Sequence, residues 1–460
     1  MTRTVHLSRP IIVLSTLTIA LFIIFQLFYS ITYAATFSVT NSNDSGAGSL
    51  RQAISDTLTS PGPDRITFDA GLDGQTIFLT SGSLVISGEV DIDASNLPND
   101  IIIDANNNFR VIEIHPNAIV TLNNLSIING RTATGSGSCE TLCGGGIFAR
   151  SESHVSVINS KILNNFGNSA GGILNDGTML ISGTLVSGNR AAFDGGGIRT
   201  GFGKMTITHS SVVSNVTEME FGGAGIYEEV GELVIQNSTI AYNRANGNGG
   251  GLRSTGSKSI IVSDSTFAHN SATSNGGGLF IDTFVGVSMT TSALTFINST
   301  ISKNTANVGA GGIYGFSRFT TTIAVTLTHS TVNENAGIGV ALLSSSGGVA
   351  TSLIQNSIIA NSTGSNCVGI SGNSFNLSTD MSCTGFHQGD PKLGALADNG
   401  GTTQTHALLA NSAAFSLGDP SICQMHPNDQ RGMERPTDRC DVGSTEFTDL
   451  FLSNLPIIVR

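Results

Sequence analysis

The sequence predicts an all-β fold, a parallel β-helix of about eleven coils. Three observations point there. The pattern apolar-x-apolar-x-x-(Ser/Thr/Asn)-x-apolar-x-x-Asn recurs eight times, ending at Asn165, Asn189, Asn215, Asn243, Asn270, Asn304, Asn335 and Asn361, at intervals of 24, 26, 28, 27, 34, 31 and 26 residues. Within a copy the apolar residues alternate, break and alternate again, which describes two short strands joined by a corner; a helical repeat would show helical spacing instead. After each Asn comes a glycine cluster and a further apolar strand start, as in Gly195-Gly196-Gly197-Ile198 and Gly249-Gly250-Gly251-Leu252.

Composition agrees. The chain has 460 residues, of which 56 are Gly and none is Trp, and only 12% are charged. Glycine at that level without a G-X-Y period excludes collagen, and 39% hydrophobic content excludes a disordered chain. A net charge of −12 with no basic run argues against nucleic acid or an anionic membrane surface as partner. Three strands per coil, stacked ~4.8 Å apart as parallel sheets, give a rod roughly 50–60 Å long. At the corners the repeated Asn can stack its amide on the Asn of the next coil and satisfy backbone groups stranded by the bend. A β-sandwich has no reason to repeat one Asn at a fixed offset from one Ser.

The elements follow in order. Residues 1–34 read as a secretory signal: Arg3 and Arg9 precede an apolar run from Ile11 to Phe28, and Thr32-Tyr33-Ala34 offers small residues for cleavage. The run is long for a signal, so an uncleaved membrane anchor is the alternative. Residues 35–65 form an N-terminal cap, with Ser49–Leu58 an amphipathic helix carrying Leu50, Ala53, Ile54 and Leu58 on one face. The β-helix spans 66–365, a loop-rich C-terminal module 366–447, and a short tail 448–460. The six cysteines fall into three sequence-local pairs, Cys139 with Cys143, Cys367 with Cys383, and Cys423 with Cys440. An even count after an export signal favours disulfides over metal, for which the CxxxC spacing of the first pair and the lack of a nearby His are unsuited.

The opening TFSVTNSNDSGAGSLRQAI (36–54) resembles the start of CSLREA-type surface proteins, with Gly48 in place of the family's Cys and Gln52 in place of its Glu. The stretch DPKLGALADNGGTTQTHALL and the later DQRGMERPTDRCDVGSTEF resemble the choice-of-anchor Q domain of bacterial surface proteins. The GGGI clusters and Phe267-Ala268-His269-Asn270 are similar to the repeats of polymorphic outer-membrane adhesins. These resemblances imply a right-handed parallel β-helix that is secreted or attached to the cell surface, usually without an assigned reaction.

For chemistry, the outward residue after each glycine-cluster strand start forms one column: Phe148, Leu174, Arg199, Tyr227, Arg253, Phe280 and Tyr314. Aromatic faces stack on sugar rings and Arg forks bind carboxylates, so Phe148, Arg199, Tyr227, Arg253, Phe280 and Tyr314 are the candidate ligand-binding residues, for an extended acidic polysaccharide or another cell-surface component. The competing reading is that these side chains stack on one another and only stabilise the sheet. No polygalacturonase-type NTD, GHG or RIK string occurs. A lyase would need a basic residue beside several calcium-binding carboxylates; Asp176, Asp194, Glu228, Glu229 and Asp282 read as scattered, with Glu228-Glu229 a solvated pair. No catalytic residue, metal ligand or cofactor is assigned; calcium could still bind among loop Asp and Asn groups, but no EF-hand or Gly-rich nonapeptide calcium pattern is present. His209, His269 and His329 read as surface positions. The expected function is binding, adhesion or structure at a cell surface, the alternative being a polysaccharide lyase or glycoside hydrolase on the same outer face.

Overall fold

Alternation turns one face of each strand inward. In Lys204–Thr208, Met205 and Ile207 are buried, and the next two strands of that coil, Ser211–Val213 and Ile226–Glu228, add Val212 and Ile226. Repeating this coil builds three parallel sheets of 12, 13 and 16 strands around one continuous apolar core. The computed structural model describes residues 35–133, 142–283 and 291–448, and over them the chain is a right-handed parallel β-helix of about 12 turns. The signal segment, Cys139 and the tail from residue 449 lie outside the described residues.

The corners depend on hydrogen bonds that the strands cannot supply. Asn243 is fully buried; its Oδ1 accepts from the backbone N–H and the side-chain amide of Asn215, both at 3.0 Å. Its own Nδ2 donates to the Val212 carbonyl at 2.9 Å and to Asn270 Oδ1 at 3.0 Å. The same bonds run without a break from Asn165 through Asn189, Asn215, Asn243, Asn270 and Asn304 to Asn335. A second ladder, which sequence reading did not single out, joins the Ser or Thr of each copy: each backbone N–H in the run Ser160, Thr184, Ser210, Ser238 donates to the hydroxyl of the next coil's residue. Glycine makes room for the Asn ladder. A Cβ on Gly251 would lie 2.6 Å from the Gly278 carbonyl and 3.0 Å from the Asn270 amide.

Several boundaries differ from expectation. Asn361 is not in the ladder. Pairing of Val332 with Ile359 and Asn333 with Ala360 puts Ser362 opposite the Asn335 position, one residue later. Asn361 instead occupies the left-handed corner, with φ 53°, as Glu334 does one coil earlier. The last copy is thus slipped by one residue, and Leu353, which the pattern placed inside, is exposed. At the N-terminus, Ala35–Val39 already pairs with Asp64–Phe68, so the first sheet begins inside the expected cap. The cap helix, Leu50–Thr57, is started by the Ser49 hydroxyl accepting from the Gln52 N–H, and it buries Leu50, Ala53, Ile54 and Thr57. Leu58 lies past its end and is exposed.

At the other end, Cys367–Val368, Leu377–Ser378 and His387–Gln388 continue the sheets beyond residue 365. The Cys367–Cys383 disulfide, with Ile370 and Phe386, closes the core there. The module after it holds an antiparallel hairpin, Leu393–Ala397 with Thr405–Leu408, and the short helix Pro420–Met425, stapled by Cys423–Cys440. It lies along the outer face of the second sheet, where Thr266 bonds the Gln404 carbonyl, Thr300 bonds Gln430, and Ser302 meets His406.

Replacing Asn243 by Ala strands the backbone N–H and amide of Asn215 and the Val212 carbonyl in a dry interior. At about 1–3 kcal/mol per orphaned group, the loss should be several kcal/mol. Measured by circular dichroism, a marked fall in the thermal midpoint is expected for Asn243→Ala. A clearly smaller one is expected for Asn361→Ala, which loses one half-buried hydrogen bond and places Ala in a left-handed corner at about 1–2 kcal/mol.

Candidate functional site

The third sheet carries the candidate residues on its outer face, and register places them in one line: Phe148, Leu174, Arg199, Tyr227, Arg253, Phe280 and Tyr314 are successive cross-strand neighbours. Along one side of this line runs a wall formed by the glycine turns. A Cβ at Gly249, whose φ is +70°, would come within 2.7 Å of the Arg253 Cβ, so the turn and the column are in contact. Along the other side runs a second outward column, two residues further on, containing Asp176, Glu229 and Asp282. These acids are in register, not scattered: Thr255 pairs with Asp282, and Glu228 with Ser254. They are separated by Gly201 and Thr255, so each lies two coils, or roughly 10 Å, from the next. That spacing keeps them from converging on one cation, and among the described residues no group of three carboxylates does so.

The rings of Phe148, Tyr227 and Phe280 do not present free faces. Arg199 and Arg253 lie over the Tyr227 ring at 5.5 and 5.6 Å, and Arg253 also lies over Phe280 at 5.9 Å. Phe280 and Tyr314 are stacked, with centroids 5.6 Å apart and planes 8° off parallel. Arg110 and Arg150 lie over Phe148 at 4.8 and 5.1 Å. Phe148, Leu174, Tyr227 and Phe280 are buried. Phe148, Tyr227 and Phe280 are therefore covered by cation–π and ring stacking, which leaves their faces closed to a sugar, whereas half-buried Tyr314 is stacked on one side only.

What the groove offers instead is charge and a different aromatic. Arg199 donates to Glu229 Oε2 and Ser169 Oγ, both at 2.7 Å, and lies 3.6 Å from Asp194. Arg318 pairs with Asp282 at 3.0 Å. Burial pushes the carboxyls of Asp176, Asp194 and Asp282 up, against the pull of these arginines. Arg253 differs: among the described residues it forms no ion pair, and its Nε is buried without a hydrogen-bond partner. Above Arg199, a hollow of about 260 Å³ is lined by Cys143, Asn168, Ser169, Phe193, Asp194, Arg199 and Phe221. Phe193 and Phe221 meet edge to face at 5.6 Å, and Phe221 is 53% exposed. Sequence reading missed both because they lie in the loops before the glycine clusters, outside the repeat pattern.

Glu228 and Glu229 are not a solvated pair. Glu229 faces the groove, whereas Glu228 points into the core and is fully buried, with Oε1 unpartnered. Burial pushes its carboxyl up to about 8, opposed by the Gly231 N–H and the Ser254 hydroxyl. Of the three histidines, His209 is exposed, His269 is half-buried and stacked on Tyr242 at 4.8 Å, and His329 is fully buried because the C-terminal module covers it.

No protein-family model matches this chain, and no curated protein matches its sequence. Among solved structures, it is similar to a crystal structure of pectate lyase Pel9A, at 13% identity and a TM-score of 0.46, covering 91% of this chain and 98% of that one. A likeness of that degree assigns no activity.

Because the folded carboxyl of Glu228 titrates near 8 against 4.5 in the unfolded chain, its favourable contribution is complete below pH 4.5 and is lost as pH rises through 8. The melting temperature of Glu228→Gln relative to the parent should therefore climb between pH 5 and pH 9, as read by melting curves at both ends.

Proposed function

We propose that this chain is a secreted or cell-surface protein of the choice-of-anchor Q and CSLREA type, and that it binds acidic polysaccharide along the third-sheet groove without transforming it. The observation that carries this reading is Arg253, a guanidinium held between Tyr227 and Phe280 that forms no direct ion pair among the described residues, with Asp282 and Asp194 acting on it only through space. A uronate carboxylate supplies the missing partner, and a charge-assisted fork of this kind contributes about 1.5–3 kcal/mol. The exposed Phe221 ring, beside Asp194 and Arg199, supplies an apolar face for a sugar next to polar groups that orient its hydroxyls. The stapled, capped architecture and the disulfides Cys367–Cys383 and Cys423–Cys440 support an oxidising, extracellular location.

Two features favour binding over catalysis. Glu229 is engaged by Arg199 and Asp282 by Arg318, and the two-coil spacing that separates Asp176 from Glu229 and Glu229 from Asp282 disfavours a site where a metal and a base act on one sugar. A lyase or hydrolase needs a free acid or base close to a second reacting group, and Asp176 stands two coils from Glu229.

Titration calorimetry against polygalacturonate, alginate and a neutral glucan tests this. Binding to the uronate polymers should weaken with salt and fall about tenfold or more in Arg253→Gln, which removes the charge and shortens the side chain, and less in Phe221→Ala. Equal affinity for the neutral glucan, or an unchanged constant in Arg253→Gln, overturns the site. Unsaturated products formed with or without calcium overturn the non-catalytic reading.

A further inference from the structure

Where the C-terminal module meets the β-helix, three ligand-type side chains converge away from the groove. Cys423 belongs to the helix Pro420–Met425, Cys440 to the loop packed behind it, and His329 to the left-handed corner after the strand Thr322–Thr328. One donor atom from each lies within 4.8 Å of the others, and all three residues are buried. His426 follows Cys423 by one helical turn, in Cys423-Gln424-Met425-His426, and its ring lies 6.0 Å from that of His329. Asn356 Nδ2 approaches His329 Nε2 at 3.3 Å and each of the two sulfurs at 3.7 Å, while Nδ1 makes no well-formed hydrogen bond and the ring also meets the Ile422 backbone. A weakly bonded imidazole, fully enclosed with its donor atom and two sulfurs within 4.8 Å of one another, is the convergence that a tetrahedral site starts from. The binding groove makes no use of it.

We propose that in the thiol state, before Cys423 and Cys440 are oxidised to the disulfide, this pocket is a site for a zinc-class divalent cation, with Cys423, Cys440, His329 and His426 as its four ligands. Two thiolates and two neutral imidazoles form the donor set that a tetrahedral d¹⁰ cation takes. The charges close: two thiolates neutralise the dication, so the site tolerates the nearby Arg435, which is itself paired with Glu446 at 2.5 Å. Loading exchanges protons for metal, two thiols and one dication giving the bis-thiolate complex and two protons. Oxidation by a disulfide or quinone acceptor then removes two electrons, forms the S–S bond and releases the cation. The two states differ in what they join. The disulfide stays within the module, whereas the cation ties the module to His329 of the β-helix and holds the seam during assembly.

The full chain, purified under a phosphine that reduces the disulfide and becomes the phosphine oxide, is dialysed against zinc and, separately, cobalt. The Cys423→Ser/Cys440→Ser variant separates this site from the other cysteine pairs, which the phosphine also reduces. Expected are one more zinc per reduced chain than in that variant, a tetrahedral S₂N₂ cobalt spectrum, and no binding by the oxidised chain. His329→Ala should weaken zinc at least tenfold; should it fail to fold, His426→Ala, at a half-buried position, should still weaken zinc and alter the cobalt bands while the β-sheet circular dichroism persists. Equal zinc uptake by the oxidised chain, full uptake by the double Ser variant, or affinity unmoved in both His variants overturns the proposal.

Discussion

The structure depends on the amide of one buried asparagine per coil. A β-helix corner strands backbone groups in a place that water does not reach, and an unpaired buried group costs about 1–3 kcal/mol. The Asn side chain is short enough to stay inside the bend and carries both a donor and an acceptor, so each amide serves its own coil and the next. From Asn165 to Asn335 the unit is repeated, and its consequences spread outward. The facing strand start must be glycine where the amide fills the space that a Cβ would take, as at Gly251. Each coil from Asn165 to Asn335 is locked in register with its neighbours, because a slip by one residue would break both hydrogen bonds and turn core residues to solvent.

Register explains the groove. Once coils stack at strand spacing, the outward position after each glycine cluster recurs about every 4.8 Å, which suits a guanidinium lying over a ring. Arg199, Tyr227, Arg253 and Phe280 therefore satisfy each other before any ligand arrives. The same spacing separates Asp176, Glu229 and Asp282 by two coils each, so the sheet that lines up the acids also keeps them apart. Arg253 is the place where this internal pairing is incomplete, and the loops that escape the repeat, with Phe193 and Phe221, are where an aromatic face reaches solvent.

The module along the second sheet alters the electrostatics of what it covers. His329 is held neutral, its imidazole pushed down to about 2, first by burial and then by Arg435. His406, buried between Ser302 and the Gly394 carbonyl, is also shifted down by burial. Arg435 has no exposed side-chain surface; it bonds Glu446, the Gly443 carbonyl and Asn298 across the seam. A sheet face that would otherwise expose rows of Thr and Ser becomes a polar, closely bonded interface, and His329 of the repeat takes on an environment that no single coil would give it.

Much of the fold was legible in the chain, because the interactions that make a β-helix are local and repeated. Alternating apolar residues set the strands, the recurring Asn and Ser set the corners, and the Gly clusters set the third turn; even the column from Phe148 to Tyr314 could be drawn from spacing alone. Asn361 was misplaced because an Asn there fits a left-handed corner as well as the ladder, and only pairing with Asn333 and Glu334 separates the two. The burial of Glu228 and His329, the closing of the ring faces by arginines, and the docking of the module on the side were decided by the tertiary structure. Each depends on which coil or module lies against a residue, a relation between segments as many as 165 positions apart, as in Thr402 with Asn237, that no repeat pattern encodes.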